Sequence, residues 1–310
     1  MPFILSLDEG TTSARAALYD EQGRRVGMES SPVHCHFPQP GWVEQDPLQI
    51  WSAQLEAARR LLERSAVSPA AIRGVGITNQ RETTVVWERA TGQPAAPAIV
   101  WQCRRTADYC AGLAASAQAR RITAKTGLVI DAYFSASKLQ WILDHVPEAR
   151  AKARDGALLF GNVDTWLAWN LTGGAAHVTD PSNASRTMLM NLETGDWDDE
   201  LLDLFDVPRA MLPRIEPSSA VVGTCRAEHL GAEIPIAGIA GDQQAALVGQ
   251  ACFRHGLSKN TYGTGCFALL HTGERLPVSR HRLLGTRAAS TDRRAQFAVE
   301  GLSLIHISEP

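Results

Sequence analysis

A short polar turn near the N-terminus carries residues suited to phosphate binding. Asp8, Gly10, Thr11, Thr12 and Ser13 lie between two short apolar runs, a pattern that predicts a β-hairpin. Glycine lets backbone amides approach an anion closely, the hydroxyls can donate to phosphate oxygens, and a carboxylate can hold hydrated Mg²⁺. The same residue types also make ordinary turns, so this segment alone leaves a structural turn and a nucleotide loop equally open.

Asp242 is a second candidate, because it lies where a predicted strand meets a predicted helix. The apolar run 234–240 is typical of a buried strand, and residues 241–247 begin a helix. The helix dipole favours a carboxylate at this N-terminus, where it can accept hydrogen bonds. A plain N-cap is the alternative.

A second turn rich in glycine and threonine follows at residues 260–267 and contains Gly263 and Thr264. Either turn alone carries little information. Two such turns with an acid at a strand–helix junction suit one task, which is to hold a polyphosphate and a metal ion beside a hydroxyl that becomes phosphorylated.

Arg81 and Glu82 form a charged pair directly after a predicted strand. A guanidinium donates in a fork and a carboxylate accepts, so the pair can bind a polyol. A surface salt bridge is the alternative for adjacent charges. Trp101, Tyr133 and Phe267 can form the walls of a small pocket, although core packing explains any one of them taken alone.

The elements that must position these residues alternate between strands and helices, which indicates a mixed α/β fold. Strands are predicted at 3–7, 16–19, 73–78, 84–87 and 98–101. Helices are predicted to begin after the cap Asp46 with Pro47 at the first position, at a cap on Ser135 or Ser137, and at about Asp164.

The composition is that of a globular protein without a polyanion-binding surface. The chain has 310 residues, of which 45% are hydrophobic, and a formal net charge of −3. This length allows one large or two modest domains. The dispersed arginines argue against nucleic acid or an anionic membrane as the main partner. The adjacent arginine pairs at 59–60, 104–105 and 120–121 are expected on solvated helix faces.

The targeting and cysteine patterns favour the cytoplasm. No apolar run approaches the ~20 residues that span a bilayer, and the N-terminus lacks the basic region of a signal peptide. Six cysteines without a CxxC pair predict reduced, mostly buried thiols. His229 is expected in a surface loop.

These motifs occur in a sequence that resembles the FGGY family of carbohydrate kinases, and within it the members that phosphorylate glycerol. The resemblance runs almost continuously from Ile4 to about Gly301 and implies the actin-like ATPase fold, an α/β fold with two ribonuclease H-like domains closing on a cleft. Its main stretches are LDEGTTSARAALYD (7–20), GWVEQDP (41–47), GITNQRETTVVWE (76–88), IVWQCRRT (99–106), TGLVIDAYFSASKLQWILD (126–144), VDTWLAWNLTGG (163–174), NASRTMLMNLETGDWDDELL (183–202), IPIAGIAGDQQAALVGQ (234–250) and KNTYGTGCF (259–267).

The resemblance also implies a domain layout. Residues 1–251 correspond to an N-terminal substrate and phosphate-binding domain, and residues 252–301 to the start of a C-terminal nucleotide-binding domain. Residues 302–310 no longer follow the family, whose members continue well past this point, so an inactive or weakly active fragment of a glycerol-phosphorylating enzyme is expected. A kinase of another polyol or sugar and a non-catalytic polyol-binding fragment are the alternatives.

The resemblance assigns roles to single residues. Asp242 matches the general base, and Asp8 and Asp242 are expected near Mg²⁺. The expected glycerol ligands and pocket walls are Arg81, Glu82, Tyr133, Asp242, Gln243, Trp101 and Phe267. The expected ATP-binding residues are Thr12, Arg15, Gly263 and Thr264 by resemblance, and Gly10, Thr11 and Ser13 by the turn pattern. ATP and Mg²⁺ are the implied cofactors, glycerol and ATP the implied partners, and homo-oligomers the implied state of full-length relatives.

Three departures from the family pattern lie beside these residues. Glu9 stands where the family usually has glutamine, and it adds a negative charge near the phosphates unless it points away or meets a cation. Ala132 replaces a usual proline and Ala136 a usual glycine, and both changes are expected to loosen or tilt the loop that carries Tyr133 modestly.

Overall fold

The computed structural model describes residues 1–262, 265–279, 281–292 and 294–304, and its strands are spread along this whole length. They are β1 Phe3–Glu9, β2 Ser13–Asp20, β3 Arg25–Pro32, β4 Glu44–Gln45, β5 Ile72–Asn79, β6 Val85–Glu88, β7 Ala98–Ile99, β8 Leu158–Gly161, β9 Val178–Thr179, β10 Arg214–Ile215, β11 Gly223–Cys225, β12 Ile234–Gly241, β13 Ser258–Tyr262, β14 Gly265–Gly273, β15 Leu284–Arg287 and β16 Phe297–Leu304.

The helices of the described residues alternate with these strands. They are α1 Pro47–Ser65, α2 Ala107–Ala114, α3 Ala119–Thr126, α4 Ser135–His145, α5 Ala149–Arg154, α6 Val163–Leu171, α7 Pro181–Ala184, α8 Asp199–Leu204, α9 Ala227–Leu230 and α10 Asp242–Gly249. In the described part of the chain, no helix combines the length and the apolar character needed to cross a membrane.

The largest sheet places three strand ends side by side. Its order is β11-β12-β5-β1-β2-β3, and β12, β5 and β1 run parallel. Glu9, Asn79 and Gly241, which end these three strands, are neighbours in the register. The segments that follow the strands therefore begin at one edge of the sheet, and this edge carries the predicted site residues.

Helix α1 covers one face of this sheet. Asp46 caps it by accepting a hydrogen bond from the backbone nitrogen of Leu48 at 2.9 Å, and Pro47 is its first residue, as predicted. Ile50 and Leu61 of its buried face pack in the same core cluster as Leu7 of β1. Burial of each such side chain stabilises the fold by about 1.5–3 kcal/mol, which anchors α1 behind the first hairpin.

A second, antiparallel sheet has the order β13-β14-β16-β15. Helix α10 connects the two sheets along the chain, because it begins directly after β12 and precedes β13. Its Leu247 packs with Cys252, Leu269 and Ala298 in a small separate core. The second sheet therefore approaches the same edge from the α10 side.

Several local predictions needed correction. The first turn is shorter than expected, since Asp8 and Glu9 belong to β1 and Ser13 begins β2. The helix at 135 has Phe134 as its N-cap, without a side-chain cap bond, so the predicted serine cap is wrong. The Ser135 hydroxyl instead donates to the carbonyl of Glu82 at 3.2 Å.

Two surface predictions were also wrong. Arg105 does not lie on a solvated helix face: its side chain is buried, lies over the rings of Trp42 and Trp141, and pairs with Glu44 at 2.7 Å. His229 lies in the short helix α9, where it packs edge-on against Trp51.

All six cysteines are free, and four of them are buried, which confirms the prediction for the thiols.

Candidate active site

The first hairpin presents a narrow turn whose backbone is held from several sides. The nitrogen of Gly10 donates to the carbonyl of Ser13 at 3.0 Å. A Cβ at Gly10 would lie 3.1 Å from that carbonyl and 3.3 Å from Nη2 of Arg15, so a larger residue would displace the turn. The indole nitrogen of Trp101 donates to the Thr11 hydroxyl at 3.0 Å. This bond ties the hairpin to a predicted pocket wall.

Asp8 faces the edge of the sheet together with Arg15. The Nε of Arg15 lies 3.4 Å from Oδ2 of Asp8, and both side chains are partly exposed. Burial raises the pKa of Asp8, the positive charge of Arg15 opposes this, and the charge of Asp242 raises it further. Asp8 and Asp242 therefore lie near each other, although Asp8 belongs to β1 and Asp242 follows β12.

Asp242 is the first residue of α10, with Gly241 as the N-cap, so the plain N-cap alternative is wrong. Its Oδ1 accepts a hydrogen bond from the backbone nitrogen of Gln243 at 2.7 Å, and its Oδ2 accepts one from Nε2 of Gln243 at 3.1 Å. Nε of Arg81 lies 3.2 Å from Oδ1. The Asp242 side chain remains 38% exposed, so its oxygens are open to a ligand.

Arg81 and Glu82 are not a surface salt bridge. Their side chains are only 1% and 2% exposed, and each pairs with a residue far away in the sequence. Nη1 and Nη2 of Arg81 donate to the two carboxylate oxygens of Glu300 at 2.6 and 2.9 Å. Nε of Arg186 donates to Oε1 of Glu82 at 2.7 Å. The two terminal nitrogens of Arg81, which were predicted to bind a polyol, therefore bind Glu300. The third guanidinium nitrogen, Nε, lies beside Asp242.

The charges of this cluster, which we call the ion cluster (Arg81, Glu82, Arg186 and Glu300), stabilise one another. Burial alone would raise the pKa of Glu300, but the guanidinium groups of Arg186 and Arg81 outweigh it and lower that pKa to about 2. Burial raises the pKa of Glu82, against the opposing effect of the same two arginines. Burial acts to lower the pKa of Arg81, but Glu300 and Glu82 raise it well above its usual value.

The three predicted aromatic walls come together beside the ion cluster. The ring of Trp101 lies 5.6 Å from that of Tyr133 and 6.4 Å from that of Phe267, both in edge-on geometry. The guanidinium carbon of Arg186 lies 5.5 Å from the centre of the Tyr133 ring. Apolar walls around paired charges are typical of a site for a small polar molecule with carbon–hydrogen faces.

Residues 3–249 match the FGGY family of carbohydrate kinases, N-terminal domain. The chain belongs to the FGGY family. Glycerol kinase 2 of Thermotoga maritima is 54% identical over 97% of this chain and 61% of its own length, and glycerol kinase of Bordetella parapertussis is 56% identical over 96% and 60%. The chain therefore spans about 60% of the length of the curated relatives that it matches.

The solved structures agree with this FGGY assignment. The crystal structure of Plasmodium falciparum glycerol kinase with ADP superposes with a TM-score of 0.92 at 36% identity, over 98% of this chain and 61% of that one. A xylulose kinase from Brucella ovis gives 0.87 at 26% identity, over 97% and 60%. These matches confirm the predicted actin-like ATPase fold of mixed α/β class.

Three polar residues of this FGGY site were missed by sequence reasoning. Arg186 and Glu300 complete the ion cluster, and Lys259 of β13 donates through Nζ to Oε1 of Gln243 and to the Thr261 hydroxyl, the latter at 2.9 Å. Arg186 and Lys259 lie inside stretches that carry the family resemblance, and that was their only signal. A buried cation needs a carboxylate or carbonyl partner, but the sequence does not say which one.

Lys259 fixes the amide of Gln243. Because Nζ holds the amide oxygen, the amide nitrogen faces Oδ2 of Asp242. Burial lowers the pKa of Lys259 to about 8. The neighbouring predicted residues Gly263 and Thr264 lie outside the described residues.

Lys138 supports the loop that carries Tyr133. This lysine is fully buried, and its Nζ donates to the carbonyls of Ala132, at 3.1 Å, and Tyr133. Burial lowers its pKa to about 8. The loosening expected from Ala132 and Ala136 stays a prediction, and Lys138 is the residue that would oppose it.

Glu9 lies at the end of β1, next to the turn of the first hairpin. Its side chain is 0% exposed, and both of its carboxylate oxygens lack a hydrogen-bond partner among the described residues. Burial raises the pKa of Glu9 well above its usual value, and the negative charge of Asp8 adds to this. Glu9 alternates with Asp8 along β1 and shares the buried side of the strand with Leu5 and Leu7. The carboxyl therefore points to the interior and away from the side that Asp8 faces.

Proposed function

We propose that this chain forms the polyol and phosphate half of a kinase that transfers the γ-phosphate of ATP to a terminal hydroxyl of glycerol. The observation that carries the proposal is the half-exposed carboxylate of Asp242, held beside Arg81 at the sheet edge on which the Asp8 hairpin also opens. Relatives that are 54% and 56% identical and bear the name glycerol kinase support glycerol over other polyols.

In the proposed reaction, the terminal hydroxyl oxygen of glycerol bonds to the γ-phosphorus of ATP, and the Asp242 carboxylate accepts the proton of that hydroxyl. The bond from that phosphorus to the bridging oxygen breaks, and ADP leaves. Gln243 holds both carboxylate oxygens by hydrogen bonds, which aims the base. Phosphoryl transfer depends mainly on positioning and on charge compensation, and a fixed base supplies the first.

The remaining assignments belong to the same proposal. Arg81, Glu82 and Tyr133 would bind the glycerol hydroxyls, Trp101 and Phe267 would contact its carbon atoms, and the turn residues would bind ATP. The predicted ATP ligands are Gly10, Thr11, Thr12, Ser13, Arg15, Gly263 and Thr264. We also propose the domain boundary at 251/252, and a cytoplasmic location stays a prediction.

Mg²⁺ fits the residues present only as an ion that arrives with the nucleotide. Asp8 and Asp242 offer two partly exposed carboxylates, and the negative charge of Asp242 contributes to the raised pKa of Asp8. Among the described residues no group of three or more His, Cys, Asp or Glu side chains could hold a metal ion. Mg²⁺ commonly uses one or two carboxylates plus substrate phosphates, and when bound it neutralises phosphate charge.

Binding to this chain is the first test. Glycerol and MgATP are titrated separately by calorimetry, with D-xylulose as the competing substrate. The proposal predicts glycerol binding and no comparable heat with xylulose. Tighter binding of xylulose would favour another FGGY kinase, and no glycerol binding would contradict the proposal.

Turnover tests the base. Residues 1–301 are fused to the remaining part of the Thermotoga maritima enzyme, and glycerol-dependent ADP release is followed. Asp242→Asn should lower the turnover number about 10²-fold or more, while the glycerol affinity should change less than about tenfold. The matched control is Asp199→Asn, because Asp199 is also the first residue of a helix but forms an exposed ion pair with Arg209. Equal turnover of the two variants would reject the general-base role.

A further inference from the structure

We propose that Glu300 and Arg186 are positioning residues of the polyol site, which hold Arg81 and Glu82 in place without touching the substrate. This inference rests on the proposed function and extends it to two residues that nothing above assigns to the substrate. Both side chains are 0% exposed, and each holds a proposed glycerol ligand by hydrogen bonds, Glu300 holding Arg81 and Arg186 holding Glu82.

Glu300 sets the plane of the Arg81 guanidinium. Its two oxygens accept from the two terminal nitrogens of Arg81, and Nη1 of Arg81 also lies 3.2 Å from Oε1 of Gln244. A planar fork with both ends held cannot rotate about its terminal bonds. The remaining nitrogen, Nε, then lies 3.2 Å from Oδ1 of Asp242. The orientation of the Arg81 guanidinium therefore also affects the position of the proposed base.

Arg186 sets the position of the Glu82 carboxylate. Its Nε donates to Oε1 of Glu82, and its Nη2 donates to Oε1 of Glu300 at 3.3 Å. Its guanidinium also lies over the rings of Tyr133 and Phe134. Glu82 has a φ of 62°, in the left-handed region that is unfavourable for a residue with a Cβ. A buried carboxylate needs a cation at hydrogen-bond distance, and Arg186 supplies it for Glu82.

The four charges alternate in one chain of contacts, from Arg81 through Glu300 and Arg186 to Glu82. All four side chains are at most 2% exposed, so water cannot replace a lost partner. Removal of one member leaves an unpaired charge and frees its neighbours to rotate. The cluster therefore acts as a unit.

The sheet that carries Glu300 explains why it can serve as a fixed support. Glu300 lies in the middle of β16, where Leu269 of β14 and Leu284 of β15 flank it on both sides. It also lies outside residues 3–249, the part that matches the N-terminal domain. The polyol site of the first sheet is thus completed by a carboxylate from the second.

Calorimetry on this chain tests the inference directly. Glu300→Gln keeps the size of the side chain and removes its charge, and glycerol affinity should fall tenfold or more while MgATP affinity changes less than twofold. Asp198→Asn is the matched control, because Asp198 also accepts two bonds from one cation, Lys125, at 2.7 and 2.8 Å, and its hydrogen-bond partners among the described residues lie outside the ion cluster. It should keep glycerol affinity within twofold. Unchanged glycerol affinity in Glu300→Gln would overturn the inference.

A double variant separates positioning from charge balance. Arg186→Gln with Glu300→Gln restores the net charge of the cluster but not the two-point grip on Arg81. Glycerol affinity should stay at least tenfold below wild type. Recovery to within twofold would mean that the pair only balances charge, and it would overturn the positioning role.

A readout without glycerol keeps the test independent of the proposed function. In nitrogen NMR of the arginine side chains, the held fork of Arg81 should give separate, slowly exchanging Nη signals that merge in Glu300→Gln. If Glu300→Gln does not fold, Glu300→Asp, which keeps the charge but shortens the arm by one methylene, replaces it in both measurements. Merged signals in the wild type would overturn the inference. Absence of glycerol binding to a wild type with separate signals would contradict the proposed function instead.

Discussion

Two buried glutamates, Glu9 at the end of β1 and Glu300 in the ion cluster, are both 0% exposed but have opposite surroundings. Within the part of the chain that the structure describes, neither oxygen of Glu9 has a hydrogen-bond partner, and burial raises the pKa of this carboxyl. Glu300 accepts three hydrogen bonds from two arginines, and its pKa falls to about 2 although burial acts in the other direction. Burial by itself therefore does not decide the charge state of a carboxyl group. The supply of cations decides it.

Asp164 lies between these extremes. It is fully buried, and its Oδ2 accepts a hydrogen bond from the Thr179 hydroxyl at 2.6 Å. Burial raises the pKa of Asp164 to about 7, and the negative charge of Asp180 adds to this, while hydrogen bonds from the Thr179 hydroxyl and from the backbone of Thr165 and Asp164 oppose it only in part. Neutral donors without a cation are thus too little to keep this buried carboxylate charged.

The largest effect is expected in the ion cluster. Arg186→Met leaves Glu82 and Glu300 with too few cations in a dry environment, and it should lower the free energy of unfolding by about 3–5 kcal/mol in urea denaturation. Arg150→Met is the control, because the partners of Arg150, Asp144 and Asp206, are about half exposed, and it should cost less than about 1 kcal/mol. Similar losses in the two variants would break the comparison.

The raised pKa of Asp164 predicts that the free energy of unfolding depends on pH. Below pH 4 this carboxyl is protonated in both states. Between pH 4 and 7 the unfolded state loses the proton while the folded state keeps it, so the free energy of unfolding decreases as pH rises. A pKa of about 7 in place of 3.8 corresponds to roughly 4 kcal/mol over this range. Asp164→Asn should remove this decrease in urea titrations at pH 4, 6 and 8. Parallel curves for wild type and variant would show that the carboxyl does not take up a proton on folding.

The smallest effect concerns Glu9. Glu9→Gln keeps the size of the side chain and removes a buried carboxyl that has no hydrogen-bonded cation among the described residues, so the free energy of unfolding at pH 7 should rise by about 1–3 kcal/mol. Glu63→Gln, on an exposed position of α1, should stay within about 0.5 kcal/mol of wild type. A loss of stability in Glu9→Gln would mean that Glu9 has a charged partner, and it would remove the contrast with Glu300.

Features encoded by neighbouring residues could be predicted from the sequence. The hairpin of β1 and β2, the cap of α1 at Asp46 and the junction of β12 with α10 at Asp242 each depend on a few adjacent residue types. The bounds shifted by only a few residues, because hydrogen bonding to neighbouring strands extends a strand beyond its apolar run. The serine cap at 135 failed for the same kind of reason, since the Ser135 hydroxyl found a tertiary acceptor in the Glu82 carbonyl.

By itself, the sequence determined the FGGY family, the α/β class and the residues that could do chemistry, because these depend on residue types at short spacing. Only the tertiary structure decided which charges meet. Arg81 and Glu82 are neighbours in the chain but pair with Glu300 and Arg186, 219 and 104 residues away. Buried charges need partners at hydrogen-bond distance, and the packing of the second sheet against the first supplies those partners.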